Sequence, residues 1–91
     1  MKNIYTITTI KSIINHRLVG WYEDLDDAKT VVLGNYGDIY ETCYTYAVIS
    51  KKSQGIYQPS LESIWYIWKN GRYFPCTVPN EYKMVDMSGI G

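Results

Sequence analysis

Tyr44-Thr45-Tyr46-Ala47-Val48-Ile49-Ser50 consists almost wholly of β-branched and aromatic residues, the types that fit a pleated, half-buried surface. Along an extended chain Tyr44, Tyr46 and Val48 point to one side, and Thr45, Ala47 and Ile49 to the other. Both sides are largely apolar, so neither face reads as freely solvated. The segment is expected to be a central strand, covered on one face by a helix and on the other by a partner or ligand. Directly before it lies Asn35-Tyr36-Gly37-Asp38-Ile39-Tyr40-Glu41-Thr42-Cys43, a polar and aromatic lead-in dense in hydrogen-bonding groups.

Toward the amino terminus, residues 3–11 alternate, with Ile4, Thr6, Thr8 and Ile10 on one side and Tyr5, Ile7 and Thr9 on the other, which predicts a first strand. Residues 12–15 connect it to a second strand over 16–22. The two should form an antiparallel hairpin with Ile13 and Ile14 exposed at its tip. Gly20 weakens the second strand unless the backbone there is bulged or closely approached. Asp24 then caps a helix, with Asp26 and Asp27 suited to the positive end of the helix dipole. Leu25, Ala28 and Val32 form one apolar stripe with Val31 beside it, and Gly34 is expected to end the helix in a left-handed conformation.

Toward the carboxyl terminus, residues 51–61, with Gly55 and Pro59, predict a loop long enough to fold over something. Lys51-Lys52 reads as a solvated strand end. Residues 62–68 form a fourth strand, with Ile64, Tyr66 and Trp68 set against Trp65 and Ile67. Asn70-Gly71 is a strong hairpin signal, because a type I′ turn needs positive φ at both central residues. Residues 72–76 return as a fifth strand, and Pro75 and Pro79 suit a sheet edge. The order β-β-α-β-β-β describes an α+β domain, an antiparallel sheet of about five strands with one helix packed on a face. A single domain is expected over 1–79. In the tail over 80–91, Tyr82, Met84, Val85 and Met87 are available to dock on a neighbouring subunit. One helix leaves part of the other sheet face uncovered, which gives the aromatic residues a place to act.

The chain has 91 residues, enough for one modest core that buries roughly 60–65% of the unfolded surface. So thin a margin is naturally widened by self-association, and a homo-oligomer is expected. Nine basic and nine acidic residues cancel, which removes the electrostatic footprint that long nucleic acids require. A small ligand with a few phosphates remains compatible, because two or three local cations suffice. The start, Met1-Lys2-Asn3-Ile4, lacks the apolar run of a signal peptide, and no segment has the length of a membrane span, so a cytoplasmic protein is expected. Cys43 and Cys76 read as small buried hydrophobes. Ten tyrosines, three tryptophans and one phenylalanine are an unusual load. Tyrosine and tryptophan gather where one end of a side chain is dry and the other wet, as at interfaces and ligand sites. A small sheet that uses tyrosine as a strand former has the same composition.

The inventory for catalysis is poor. One histidine and two cysteines without metal-binding spacing do not close a zinc site. Cys43 with His16 offers one thiol and base, against the commoner reading of a packed cysteine. Asp38 and Glu41, three apart, offer a carboxylate pair, against the commoner reading of hydrogen-bond acceptors. No glycine-rich phosphate loop is present. The expectation is a protein without a cofactor that binds rather than catalyses. The binding constellation singled out is Arg17, Trp21, Asp38, Tyr40, Glu41, Tyr44, Tyr46, Trp65 and Trp68. Aromatic faces stack a purine, Arg17 pairs a phosphate, and the carboxylates suit ribose hydroxyls. The plainer reading makes Trp21, Tyr46 and Trp65 core residues.

Several of these features recur together: His16-Arg17-Leu18-Val19-Gly20-Trp21, a helix with Asp24 and Ala28, Asn35 with Asp38-Ile39-Tyr40-Glu41, then Tyr44-Thr45-Tyr46-Ala47-Val48-Ile49 and a Trp-rich hairpin. In this order they resemble a group of small phage and prophage proteins of Gram-positive bacteria, over about residues 4–78. The resemblance implies a counter-defence factor. Some such proteins sequester cyclic-nucleotide or ADP-ribose-type immune signals without cleaving them; others are protein–protein inhibitors that cover a host defence enzyme, in the manner of an anti-CRISPR. DNA-mimicking inhibitors are strongly acidic, and this chain is neutral, so the expected partner is a small nucleotide-type ligand or a host defence protein.

Overall fold

Five runs of alternating β-branched and aromatic residues become strands. A computed structural model describes residues 3–12, 14–53 and 62–82 of the chain. Strand β1 spans Asn3–Ile10, β2 His16–Tyr22, β3 Tyr46–Ser53, β4 Glu62–Lys69 and β5 Arg72–Cys76. Helix α1 spans Leu25–Leu33, and a 3-10 turn covers Asn80–Tyr82. The strands form one antiparallel sheet in the order β2-β1-β3-β4-β5, so β3 is the central strand. The fold is the expected α+β layer. Residues 54–61, Ile13, Met84, Val85 and Met87 lie outside the described residues.

Register fixes which side chains share a face, because residues directly opposite one another point the same way. Ile7 pairs with Ile49, Thr9 with Ala47, Ile49 with Ile64, Ala47 with Tyr66, and Trp68 with Tyr73. This row faces α1, where Ala28 and Val32 complete a core with Ile7, Ile39, Ala47, Ile49, Tyr66 and Tyr73. The opposite row carries Ile10, Tyr46, Val48 and Trp65. Tyr82 and Val78 fold onto it as a second, smaller core. Tyr82, expected in a tail docked on a neighbour, is thus buried against its own sheet.

Local chemistry explains the element ends. Asp24 accepts the Asp26 N–H at 2.8 Å and starts α1. Asn70 (φ 50°) and Gly71 (φ 85°) both take the left-handed conformation that the two-residue turn demands. Gly34 does not. Its φ is −90°, and the left-handed position falls on Asn35 (φ 49°). Glycine at 34 instead eases close packing, since a Cβ there would meet the Thr30 carbonyl oxygen and the Tyr36 ring, each at 3.1 Å, and the ring would have to give by a few tenths of an ångström.

Three further expectations are corrected. The central strand begins at Tyr46, because the Tyr40 carbonyl accepts the N–H groups of both Cys43 and Tyr44 and holds them in a turn. Lys52 is buried rather than solvated. It sits opposite Ile4 on the inner strand β3, on the face away from α1. Lys51, on the other face, reaches Glu62 at 3.9 Å. Cys43 and Cys76 are half-buried free thiols rather than buried ones. Of the two conditions under which Gly20 would not weaken its strand, the bulge is the one present: β2 carries one extra residue, Val19, between the pairs Ile7–Gly20 and Thr8–Leu18. Among the described residues no helix is long and apolar enough to cross a membrane.

Candidate functional site

The lead-in between α1 and β3 folds over one end of the helix-bearing face and carries most of the unusual backbone. Asn35, Gly37, Asp38, Glu41 and Thr42 all have φ between 47° and 70°. Asn, Asp and Gly tolerate that region; Glu and the β-branched Thr occupy it at a cost of about 1–2 kcal/mol each. Side-chain hydrogen bonds hold the shape. Asn35 Oδ1 accepts the Tyr40 N–H at 3.0 Å, and Asn35 Nδ2 donates to Asp38 Oδ1 at 3.3 Å. The same Asp38 oxygen accepts the Glu41 N–H at 3.3 Å. Asp38 is therefore engaged in building the loop.

Aromatic rings anchor this loop to the sheet. Tyr40 lies flat on Trp68, with centroids 3.9 Å apart and planes 7° apart, and Tyr73 closes the cluster edge-on to both. The Tyr73 hydroxyl donates to the Tyr44 carbonyl at 2.6 Å. Burial, with Tyr40 adding to it, pushes the Tyr73 phenol well above its ordinary value; burial moves Tyr66 the same way. A phenol kept neutral by the fold contributes stability that is complete below the unfolded pKa near 10 and is lost as pH rises beyond it. Stability should fall above pH ~10, by up to about 1.4 kcal/mol per pH unit for Tyr73. Tyr73→Phe should cost about 0.5–1.5 kcal/mol at neutral pH yet flatten the alkaline decline. Urea titrations across the alkaline range measure both effects; equal slopes for the two proteins would refute the assignment.

Arg17 joins the loop to β2. Its Nη1 lies 2.7 Å from Glu41 Oε1, and its Cζ sits over the Tyr44 ring, 5.0 Å from the centroid. Its Nε is buried and makes no hydrogen bond among the described residues. Around this guanidinium an open groove of about 310 Å³ is lined by Arg17, Leu18, Val19, Tyr36, Gly37, Ile39 and Glu41. Tyr36 keeps more than half of its surface exposed at the groove.

The sheet divides the nine residues singled out from the sequence. Arg17, Asp38, Tyr40, Glu41, Tyr44 and Trp68 gather on the helix side, but only Arg17 and Glu41 line the groove. Tyr46 and Trp65 belong to the opposite face, packed with Tyr82. Trp21 stands opposite Thr6 on that same face, at the sheet edge and largely exposed. The groove residues that sequence reading passed over are Leu18, Val19, Tyr36, Gly37 and Ile39. The signal for Tyr36 was its place between Asn35 and Gly37, where a tight polar turn forces a large ring outward.

Chemically, the groove is lined by a part-exposed cation, the carboxylate it pairs with, and an exposed tyrosine. His16 pairs with Ile10 on the face away from α1, whereas Cys43 lies in the lead-in on the helix side, so the sheet separates this thiol and base. Among the described residues no three His, Cys, Asp or Glu side chains converge as a metal site would require. No family model matches the chain, and no curated protein or solved structure matches it.

Proposed function

We propose that this chain is a non-enzymatic counter-defence protein. It binds and sequesters a small nucleotide-derived immune signal, of cyclic-nucleotide or ADP-ribose type, in the groove between β2 and the lead-in. The observation that carries this reading is Arg17, a guanidinium on the groove wall with a buried N–H that lacks a hydrogen-bond partner among the described residues. A phosphate could displace the half-exposed Glu41 carboxylate from the part-exposed guanidinium, because Arg–phosphate pairing is charge-assisted. Tyr36 supplies a face for a base, and Glu41, once released, suits ribose hydroxyls. The groove volume lies at the lower end of what small-molecule sites occupy. The resemblance to small phage proteins adds the biological setting.

The test is a release assay. Purified protein is mixed with extract containing immune nucleotides, repurified and heat-denatured, and the supernatant is read by mass spectrometry. An intact nucleotide is expected. Arg17→Ala should lower its retention by about 10–100-fold, the loss of a charged hydrogen-bonding group, with the far-ultraviolet spectrum unchanged. A chemically altered nucleotide would make the protein an enzyme, and an empty supernatant would overturn the ligand reading. Ile14, 88% exposed at the hairpin tip, favours a second reading, an inhibitor that presents this tip to a host defence enzyme. Recovery of a host protein instead of a nucleotide selects it.

A further inference from the structure

The two edges of the sheet are unlike. β5 carries Pro75, which has no N–H to offer a further strand. β2, the other edge, has no proline, and its Leu18 and Trp21 side chains are 45% and 57% exposed. In the hairpin, Lys11 N–H donates to the Asn15 carbonyl at 2.8 Å, which sets the alternation along the ladder. Arg17 turns its backbone groups toward Thr9, while His16 and Leu18 turn theirs away from β1. Val19 is the extra residue, so beyond it Gly20 faces Ile7 and Trp21 turns outward in its place.

The bulge also makes the strand symmetric. Arg17, Gly20 and Tyr22 lie on the helix side with Val19, whereas Leu18 and Trp21 lie on the far side. From Arg17 to Tyr22 the faces run helix, far, helix, helix, far, helix, the same read from either end. A regular strand cannot pair with its own copy about a point between two residues, because those neighbours face opposite ways. This one can, about the Val19–Gly20 peptide. The charges agree: Lys11, His16 and Arg17 lie at or before the start of β2, and Glu23, Asp24, Asp26 and Asp27 follow its end. A two-fold axis brings each basic end against the other acidic end.

We propose that β2 pairs antiparallel with β2 of a second copy of this chain, about a two-fold axis at the Val19–Gly20 peptide. Leu18 then lies opposite Trp21 of the partner subunit, and Arg17 opposite Tyr22 of the partner subunit. The two sheets become continuous and both exposed apolar side chains are covered. The groove gains a neighbour, because the second copy borders it at Arg17. This interface goes beyond the ligand reading and stands or falls without it, since its readout is association alone.

Sedimentation equilibrium of the full chain should show a dimer. Trp21→Glu should raise the dimer dissociation constant by about 30-fold or more, as expected of a lost aromatic anchor, without altering the circular dichroism of the monomer. Crosslinking tests the register. In a Cys43→Ser, Cys76→Ser background, proteins bearing Leu18→Cys and Trp21→Cys should form a disulfide when mixed, and neither should do so alone. A monomer at all accessible concentrations, a dimer indifferent to Trp21→Glu, or a Leu18→Cys protein that crosslinks with itself would overturn the proposal.

Discussion

Trp65→Ala is expected to remove about 3–5 kcal/mol of stability, the cost of truncating a buried tryptophan. A domain of this length holds only about 5–14 kcal/mol in all. The loss is large because Trp65 is the centre of the smaller core. It lies 5.5 Å from Tyr82 with planes 13° apart, meets Tyr46 edge-on, and packs with Ile10 and Val48. Its ring therefore fastens both the central strand and the segment that returns over the far face. Trp65→Phe keeps an aromatic surface there and should cost clearly less. Urea denaturation of the two variants makes the comparison, with the alanine midpoint falling by about 1–3 M at the usual slope for a small domain. A cost below about 1 kcal/mol for the alanine variant would mean that the far face is held by something other than this stack.

The parts of this fold that were legible are those fixed by chemistry within a few residues. β2 and β5 have their expected bounds because alternation and flanking turn residues are local signals, and Asn70-Gly71 dictated its own backbone. The helix start was legible through Asp24 for the same reason. What failed depended on distant partners. Lys52 looked like a solvated end because sequence shows charge, not the place on an inner strand, opposite Ile4, where the residue is buried. Gly34 looked like a left-handed cap, yet its lack of a Cβ is used for the approach of Tyr36.

The candidate site shows the limit most clearly. Period-two alternation already separates Trp65 from Trp68, three residues apart on one strand, so no single pocket on a flat sheet could hold both. Grouping aromatic residues by type overrode that parity. Tyr40 and Trp68 spend their faces on each other, whereas Tyr36 keeps its ring available. Composition alone cannot distinguish rings already stacked from rings still open. The Arg17–Glu41 pair was named from residue chemistry, but the groove beside it exists only because the lead-in doubles back through left-handed turns.

That loop makes Asn35→Ala the second large expected effect, about 2–5 kcal/mol. Two contributions are separable. Asn35 holds φ at 49°, a region asparagine enters easily and alanine enters at about 1–2 kcal/mol. Its side chain also makes two hydrogen bonds, one to the Tyr40 N–H and one to Asp38, each worth about 0.5–1.5 kcal/mol. Asn35→Gly loses the bonds but keeps the conformation, and should cost about 1–3 kcal/mol. Asn35→Asp keeps an acceptor for Tyr40 but sets a second carboxylate against Asp38 where a donor stood, so it should not rescue the loop at neutral pH. The consequence reaches the groove, because Tyr40 and Glu41 follow directly from this anchor and Glu41 meets Arg17. Hydrogen exchange at the Tyr40 amide should accelerate in all three variants, while the stability order should run wild type, Gly, Ala. Equal losses for Gly and Ala would show that the side-chain bonds alone shape the loop and that its left-handed backbone carries no cost.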